Sequence, residues 1–76
     1  MRKIKIMICS DTDYDQLIAE MYVDDKYIGL ISQERGPNNL VVEFPGPDQY
    51  EAVITREVEI EILLEALSKA KKELIG

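Results

Sequence analysis

The sequence predicts an α+β domain: an antiparallel meander sheet of four or five strands with one C-terminal α-helix packed on one face. Three observations indicate this fold. Apolar and polar residues alternate at the start of the chain, turn residues separate several short β-rich segments, and the last residues have a helical apolar period. Because 76 residues match the size of one domain, a single unit spanning 1–76 is expected.

The strands are predicted from segments of alternating or β-branched residues bounded by turn residues. In order, they are residues 2–8, 17–23, 26–33, 40–44 and, with weaker alternation, 50–57. In the first strand, Ile4, Ile6 and Ile8 should face the core. The loop at 34–39 is rich in Gly, Pro and Asn, and the Pro-Gly-Pro at 45–47 ends the fourth strand because proline cannot donate a ladder hydrogen bond.

The second and third strands are separated only by Asp24 and Asp25, a spacing typical of a tight hairpin. A regular hairpin register divides its residues between two faces. The predicted core face holds Leu17, Ala19, Met21, Val23, Ile28 and Leu30. The predicted second face holds Ile18, Glu20, Tyr22, Tyr27 and Ile31. This second face combines apolar side chains with phenols and a carboxylate, so it should be covered by the rest of the chain or bind a partner.

The C-terminal segment predicts a helix over about 58–74. Its apolar positions recur at three- and four-residue spacing, acidic residues precede it, and lysines lie near its end, as the helix dipole favours. The side chains expected to pack on the sheet are Ile60, Leu63, Leu64 and Leu67. On this interpretation, Leu64→Ala should destabilise the domain by about 2–5 kcal/mol.

Composition narrows the classes of function. Cys9 is the only cysteine and there is no histidine, which favours a reducing, cytoplasmic location and offers neither disulfides nor the usual general base. No apolar stretch is long enough for a membrane span. The net charge of −6 opposes direct binding to nucleic acid and favours a basic protein partner. An enzyme is therefore not expected, and neither is a cofactor.

The acidic loop at 10–16 has carboxylates at alternate positions, as calcium-binding loops do. Asp11, Asp13 and Asp15 resemble the first ligands of an EF-hand loop, but Gln16 stands where that loop requires glycine, and Tyr22 where it requires glutamate. The pattern instead predicts a turn-capping acidic loop without metal.

Three segments carry a resemblance to known proteins: Leu17–Tyr22, Ile31–Pro37 and Val42–Pro47. They resemble short, mostly uncharacterised bacterial proteins, some of which are similar to the small acidic immunity proteins encoded beside polymorphic toxins. The resemblance implies an inhibitor of a toxin, for example a cationic nuclease. It assigns no individual functional residue.

The leading hypothesis is a non-enzymatic inhibitor or adaptor that binds a basic protein through tyrosines and carboxylates. The candidate partner-binding residues are Glu20, Tyr22, Asp24, Asp25, Tyr27, Glu34 and Arg35. Two alternatives stay open: an obligate homodimer that covers the open sheet face with a second copy, and a phage-encoded inhibitor that mimics nucleic-acid charge.

Overall fold

The computed structural model describes residues 2–76; Met1, where the predicted domain begins, lies outside this range. The elements are β1 (Ile4–Cys9), β2 (Ile18–Val23), β3 (Lys26–Ser32), β4 (Val41–Glu43) and α1 (Ile60–Ile75). The strands pair in the order β1-β2-β3-β4, and each neighbouring pair is antiparallel. Because α1 packs on one face of this sheet, the predicted α+β meander is confirmed.

The turn between β2 and β3 has the backbone of a two-residue hairpin. Asp24 and Asp25 have φ angles of 51° and 68°, and two successive positive φ angles characterise the type I′ turn, whose twist matches that of the strands. Asp24 also accepts a hydrogen bond from the amide of Lys3 at 2.8 Å through Oδ1. The turn is therefore fastened to the residues that lead into β1.

The predicted division of the hairpin into faces is wrong in β3 because of a β-bulge. Tyr22 pairs with Tyr27, but Met21 pairs with Gly29, so Ile28 is an extra residue on β3. One extra residue reverses the alternation beyond it. As a result Ile31, not Leu30, lies on the core face opposite Ala19, whereas Leu30 pairs with Glu20 on the second face.

The main core lies between α1 and the sheet. Ala66 and Ala70 are fully buried, which brings the helix backbone close to the strands. The remaining buried members of this core are Ala19, Met21, Val23, Ile28 and Ile31, and the half-buried side chains around it include Ile4, Ile6, Ile62, Leu63 and Leu67. The expected packing of Leu63 and Leu67 is thus observed.

Two helix residues predicted to face the core are instead exposed. Ile60 is 71% exposed and Leu64 is 60% exposed, because the helix is rotated to bury its alanine stripe rather than its bulkier flank. The predicted packing of Leu64 on the sheet is therefore wrong, and a large loss of stability in Leu64→Ala is not expected. Ile8 and Leu17 are also exposed at the ends of their strands, contrary to prediction.

The predicted fifth strand is absent from the described residues, and the sheet has four strands. Residues Glu51–Val53 form one 3-10 turn, and Ile54 then makes a single parallel bridge to Tyr27. Ile54 is buried, and the amide of Thr55 donates to the carbonyl of Tyr27 at 3.1 Å. The segment predicted as a fifth strand therefore contributes only one bridging residue, Ile54, to the edge of β3.

The helix begins and ends within two residues of the predicted 58–74. Its last residue is Ile75, and Gly76 caps it with a φ of 90° and donates its amide to the carbonyl of Lys72 at 2.8 Å. A left-handed glycine at this position is a common helix stop. Among residues 2–76, no helix has the length and apolar character needed to cross a bilayer.

Candidate functional site

An open cleft of about 470 Å³ lies on the sheet face opposite α1. We call it the tyrosine cleft. The strands contribute Glu20, Tyr22, Tyr27 and Leu30, the β2–β3 turn contributes Asp25, the 10–16 loop contributes Asp11, Asp13 and Tyr14, and the segment after β4 contributes Gln49, Val53 and Ile54. All charged residues in this lining are acidic.

The floor of the cleft is built by the bulge in β3. Because the bulge reverses the alternation, Tyr27 and Leu30 both lie on the side of Glu20 and Tyr22. The rings of Tyr22 and Tyr27 are 5.7 Å apart between centroids and tilted by 60°, within the range of favourable edge-to-face contacts. The result is a rigid aromatic pair above an apolar base.

Glu20 is held in place by one of these phenols. The hydroxyl of Tyr22 donates to Oε1 of Glu20 at 2.9 Å, and both residues are half-buried. The carboxylate consequently has one oxygen engaged within the protein and retains further acceptor capacity. Such a group can accept hydrogen bonds from a cationic donor without first being reoriented.

The 10–16 loop forms one wall of the cleft. Oδ1 of Asp11 accepts the amide of Asp13 at 2.8 Å, a local turn typical of aspartate. The hydroxyl of Tyr14 donates to Oε1 of Glu43 on β4 at 2.9 Å, so the loop reaches across the sheet. Within the described part of the chain, no group of three His, Cys, Asp or Glu side chains could hold a metal ion.

The opposite wall is the segment after β4, and Arg56 fixes its shape. The Arg56 guanidinium donates to the carbonyls of Pro45 and Gly46 at 3.0 and 2.9 Å, and it pairs with Glu51. These contacts connect the Pro-Gly-Pro loop to the 3-10 turn that carries Val53. Arg56 itself is not part of the cleft lining.

The three phenols of the cleft stay protonated well above neutral pH. Burial, followed by the neighbouring carboxylates, raises the pKa of Tyr14, Tyr22 and Tyr27 to about 12. The negative charge of the cleft therefore comes from its aspartates and Glu20, while the tyrosines supply neutral rings and hydroxyl groups.

Cys9 lies on this face at the end of β1. It pairs with Ile18 in the sheet, and burial, together with the charge of Glu20, raises the pKa of its thiol. A raised pKa keeps the thiol protonated, whereas a reactive cysteine needs thiolate character at neutral pH.

The structure brings together four of the predicted partner-binding residues: Glu20, Tyr22, Asp25 and Tyr27 all line the cleft. Asp24 does not line it, because its carboxylate is bonded to Arg2 at 2.6 Å and to the amide of Lys3. The hydrogen bond from the Lys3 amide lowers the pKa of Asp24 most, and the contacts with Arg2 lower it further.

Glu34 and Arg35 also lie outside the cleft lining. Glu34 accepts the amides of Asp15 and Gln16 at 2.8 and 2.9 Å, so it supports the 10–16 loop. Arg35 is in the exposed turn closed by the bond from the Gly36 amide to the Gln33 carbonyl.

The sequence-based prediction missed the walls of the cleft: Asp11, Asp13 and Tyr14 on one side, and Gln49, Val53 and Ile54 on the other. Gly29 was the available signal for the floor, since an isolated glycine within a strand pattern often marks a bulge. No comparable signal places the walls. Comparisons with protein-family models, curated proteins and solved structures find no match to this chain.

Proposed function

We propose that this chain is a non-enzymatic binding module that holds a cationic side chain of a basic protein partner in the tyrosine cleft. The observation that carries the proposal is the composition of the lining: its charged members, Asp11, Asp13, Glu20 and Asp25, are all acidic, and they surround three tyrosines. The net charge of −6 adds long-range attraction for such a partner.

The aromatic pair gives the cleft a means of selecting cations. The face of a tyrosine ring attracts a guanidinium or ammonium group, with a contribution of about 0.5–2 kcal/mol that increases as water is excluded. Because the pKa of Tyr22 and Tyr27 is about 12, these rings act as neutral aromatic surfaces at physiological pH. Leu30 beneath them suits the aliphatic stem of an arginine or lysine.

The size and openness of the site fit a side chain presented on a protein surface. A cleft of about 470 Å³ is within the range of ligand pockets. Its acidic residues lie on a loop, a strand and a turn, so they can surround an inserted cation from several directions. Tyrosine is also common at the energetically important positions of protein interfaces, and carboxylates around it can steer the approach of a basic partner.

The more specific form of the proposal is a small acidic inhibitor of the immunity type. A basic enzyme whose cationic surface is occupied by this cleft would be prevented from reaching an anionic substrate. The charge of the chain and the composition of the cleft support this form of the proposal. Catalysis by the chain itself is not favoured, because there is no histidine and the pKa of the Cys9 thiol is raised.

The test uses a short arginine-containing peptide and the same peptide with glutamine in place of arginine, titrated into ¹⁵N-labelled protein. The arginine peptide should shift the amides of Glu20, Tyr22 and Tyr27, and added salt should weaken its binding. Tyr27→Leu should weaken binding by about 2- to 30-fold, since it keeps an apolar side chain but removes the ring.

The matched controls separate the cleft from general acidity. Asp11→Asn with Asp13→Asn removes two charges from the cleft, whereas Asp48→Asn removes an exposed charge outside its lining. Only the first should lower affinity by more than a few tenths of a kcal/mol. Equal binding of the glutamine peptide, or shifts confined to other surfaces, would refute the proposal.

The inhibitor form has its own test, because a cleft that binds arginine need not inhibit an enzyme. The protein encoded by the adjacent gene is purified, and its complex with this chain is measured by calorimetry. A basic partner that binds the natural chain and loses both affinity and inhibition with Tyr27→Leu supports the inhibitor. Binding that is insensitive to Tyr27→Leu contradicts it.

A further inference from the structure

An apolar surface remains exposed along the side of α1 that faces β4. We call it the lateral surface, and its most exposed members are Ile60, Leu64 and Phe44, at 71%, 60% and 66% exposure. It continues into two grooves between the helix and β4. One contains Phe44, Val58 and Leu63, and the other contains Val42, Leu67 and Ile75.

The lateral surface exists because α1 is not centred on the sheet. The helix packs mainly on β1 and β2 and only slightly on β3. With 3.6 residues per turn, Ile60, Leu64 and Ile75 lie within about 60° of one another on the flank next to β4, and Lys71 is the one charged residue of this strip. Three large apolar residues on one strip of a solvent-exposed helix are unusual unless another surface covers them.

The charges of the helix are divided along its length. Its first half carries Glu61 and Glu65, and its second half carries Lys69, Lys71 and Lys72, with Glu73 on the side of the helix away from the lateral surface. Glu65 is paired with Lys69 within the chain. Among the described residues, Glu61, Lys71 and Lys72 form no such ion pair. An acidic end and a basic end on one exposed helix are complementary to the same helix in the opposite direction.

We infer that the lateral surface binds a second copy of this chain, with the two α1 helices antiparallel about a two-fold axis near Ser68. This register places Ile60 of each copy beside Ile75 of the other, and it brings Glu61 close to the second copy's Lys72. In a parallel two-fold pairing, the flank that carries Glu61 and Lys72 would instead meet the other flank of the second helix, so these two charges would not face each other. A two-fold, self-complementary contact of this kind is the commonest way that identical chains associate.

This interface leaves the tyrosine cleft free, because the cleft lies on the sheet face opposite the helix. The dimer is thus independent of the proposed function. If both hold, the two clefts of a dimer can bind two cationic sites of one partner assembly, which raises the overall affinity without new contacts.

Sedimentation velocity from micromolar to near-millimolar concentrations tests the pairing. The natural chain should show a monomer–dimer equilibrium, and Leu64→Lys should abolish the dimer because it places a positive charge beside the second copy's Lys71. Met7→Lys is the matched control, since Met7 is 41% exposed and pairs with Glu20 on the sheet face opposite the helix. Thermal melts of each monomer verify that the variants fold.

Charge reversal tests the direction of the helices. Glu61→Lys alone and Lys72→Glu alone each set like charges together at both symmetric positions, so each should weaken the dimer by about tenfold. An equimolar mixture of the two variants restores opposite charges and should dimerise preferentially as a heterodimer. A strictly monomeric natural chain, or a dimer indifferent to Leu64→Lys and to charge reversal, overturns the inference.

Discussion

Gly29 provides the sharpest test of the bulge that forms the floor of the cleft. Its φ is +148°, and a Cβ built on this residue would lie 2.8 Å from the carbonyl oxygen of Glu43. The positive φ would strain any residue with an L side chain by about 1–3 kcal/mol. The close approach to Glu43 would force the backbone of β4 to move, which should cost about 1–3 kcal/mol more, as overpacking does. Gly29→Ala should therefore destabilise the protein by about 2–6 kcal/mol.

Two other glycines separate these contributions. Gly36 has a φ of +99° but open space around its Cβ position, so Gly36→Ala measures the backbone strain alone, at about 1–2 kcal/mol. Gly46 has open space and no positive φ, so Gly46→Ala should change stability by less than about 1 kcal/mol. The difference between the Gly29 and Gly36 variants then reports the collision with β4.

The assay is equilibrium unfolding in urea, followed by far-UV circular dichroism. A domain of 76 residues is expected to have a total stability of about 4–11 kcal/mol, so the Gly29 variant should lose a large part of it. Amide shifts at Glu43 and Phe44 should move in any population that stays folded. If Gly29→Ala costs no more than Gly36→Ala, the close approach of β3 and β4 is not real and the bulge must be placed differently.

The remaining predictions concern the helix and the tyrosines. Leu64→Ala should change the stability of the monomer by less than about 0.5 kcal/mol because Leu64 is 60% exposed, whereas Ala66→Leu should cost about 1–3 kcal/mol because Ala66 is fully buried. Urea unfolding of both variants distinguishes the two faces of the helix. A large loss of stability in Leu64→Ala would indicate that Leu64 faces the sheet, as the sequence predicted. Because the pKa of Tyr22 is raised to about 12, its contribution to stability should be intact below its unfolded pKa near 10 and lost as the pH rises through 12. Phenolate absorbance near pH 12 should fall by about one phenol of three in Tyr22→Phe, because Tyr14 and Tyr27 titrate in the same range. A Tyr22 titration near pH 10 would contradict the burial of its phenol and its hydrogen bond to Glu20.

The fold was predictable from the sequence because each element carries a local signal. Alternation in β1, the two-residue spacing at Asp24–Asp25 and the period of α1 each reflect contacts within a few residues of chain. The pairing of strands that are joined by short connections follows from these signals. The order of the sheet, its antiparallel direction and the position of the helix are therefore all as expected.

The orientation of the helix was not predictable by the same means. Apolar residues cover a wide arc of α1, and the expected stripe included the large side chains Ile60 and Leu64 and left out Ala66. The alanines are buried because small residues let the helix approach the sheet closely, a tertiary effect that periodicity does not measure. The exposed part of the arc is the lateral surface.

The candidate site was predictable only where it lies on the hairpin. Tyr22, Tyr27 and Glu20 share a face because β2 alternates without interruption and Tyr27 pairs with Tyr22 between the turn and the bulge. Tyr14 reaches the cleft through its hydrogen bond to Glu43, which is 29 positions away in the sequence. A contact between a loop and a distant strand leaves no periodic trace, so the walls could be identified only from the structure.

The support that Glu34 gives to the amides of Asp15 and Gln16 has a consequence for how a ligand would be received. The loop that carries Asp11 and Tyr14 is ordered by these contacts before anything binds, so its conformational entropy is lost during folding and not during association. A site formed in this way does not depend on a sparsely populated conformation for binding. The rate of association with a partner should therefore be limited by diffusion and orientation, and electrostatic attraction can raise that rate directly.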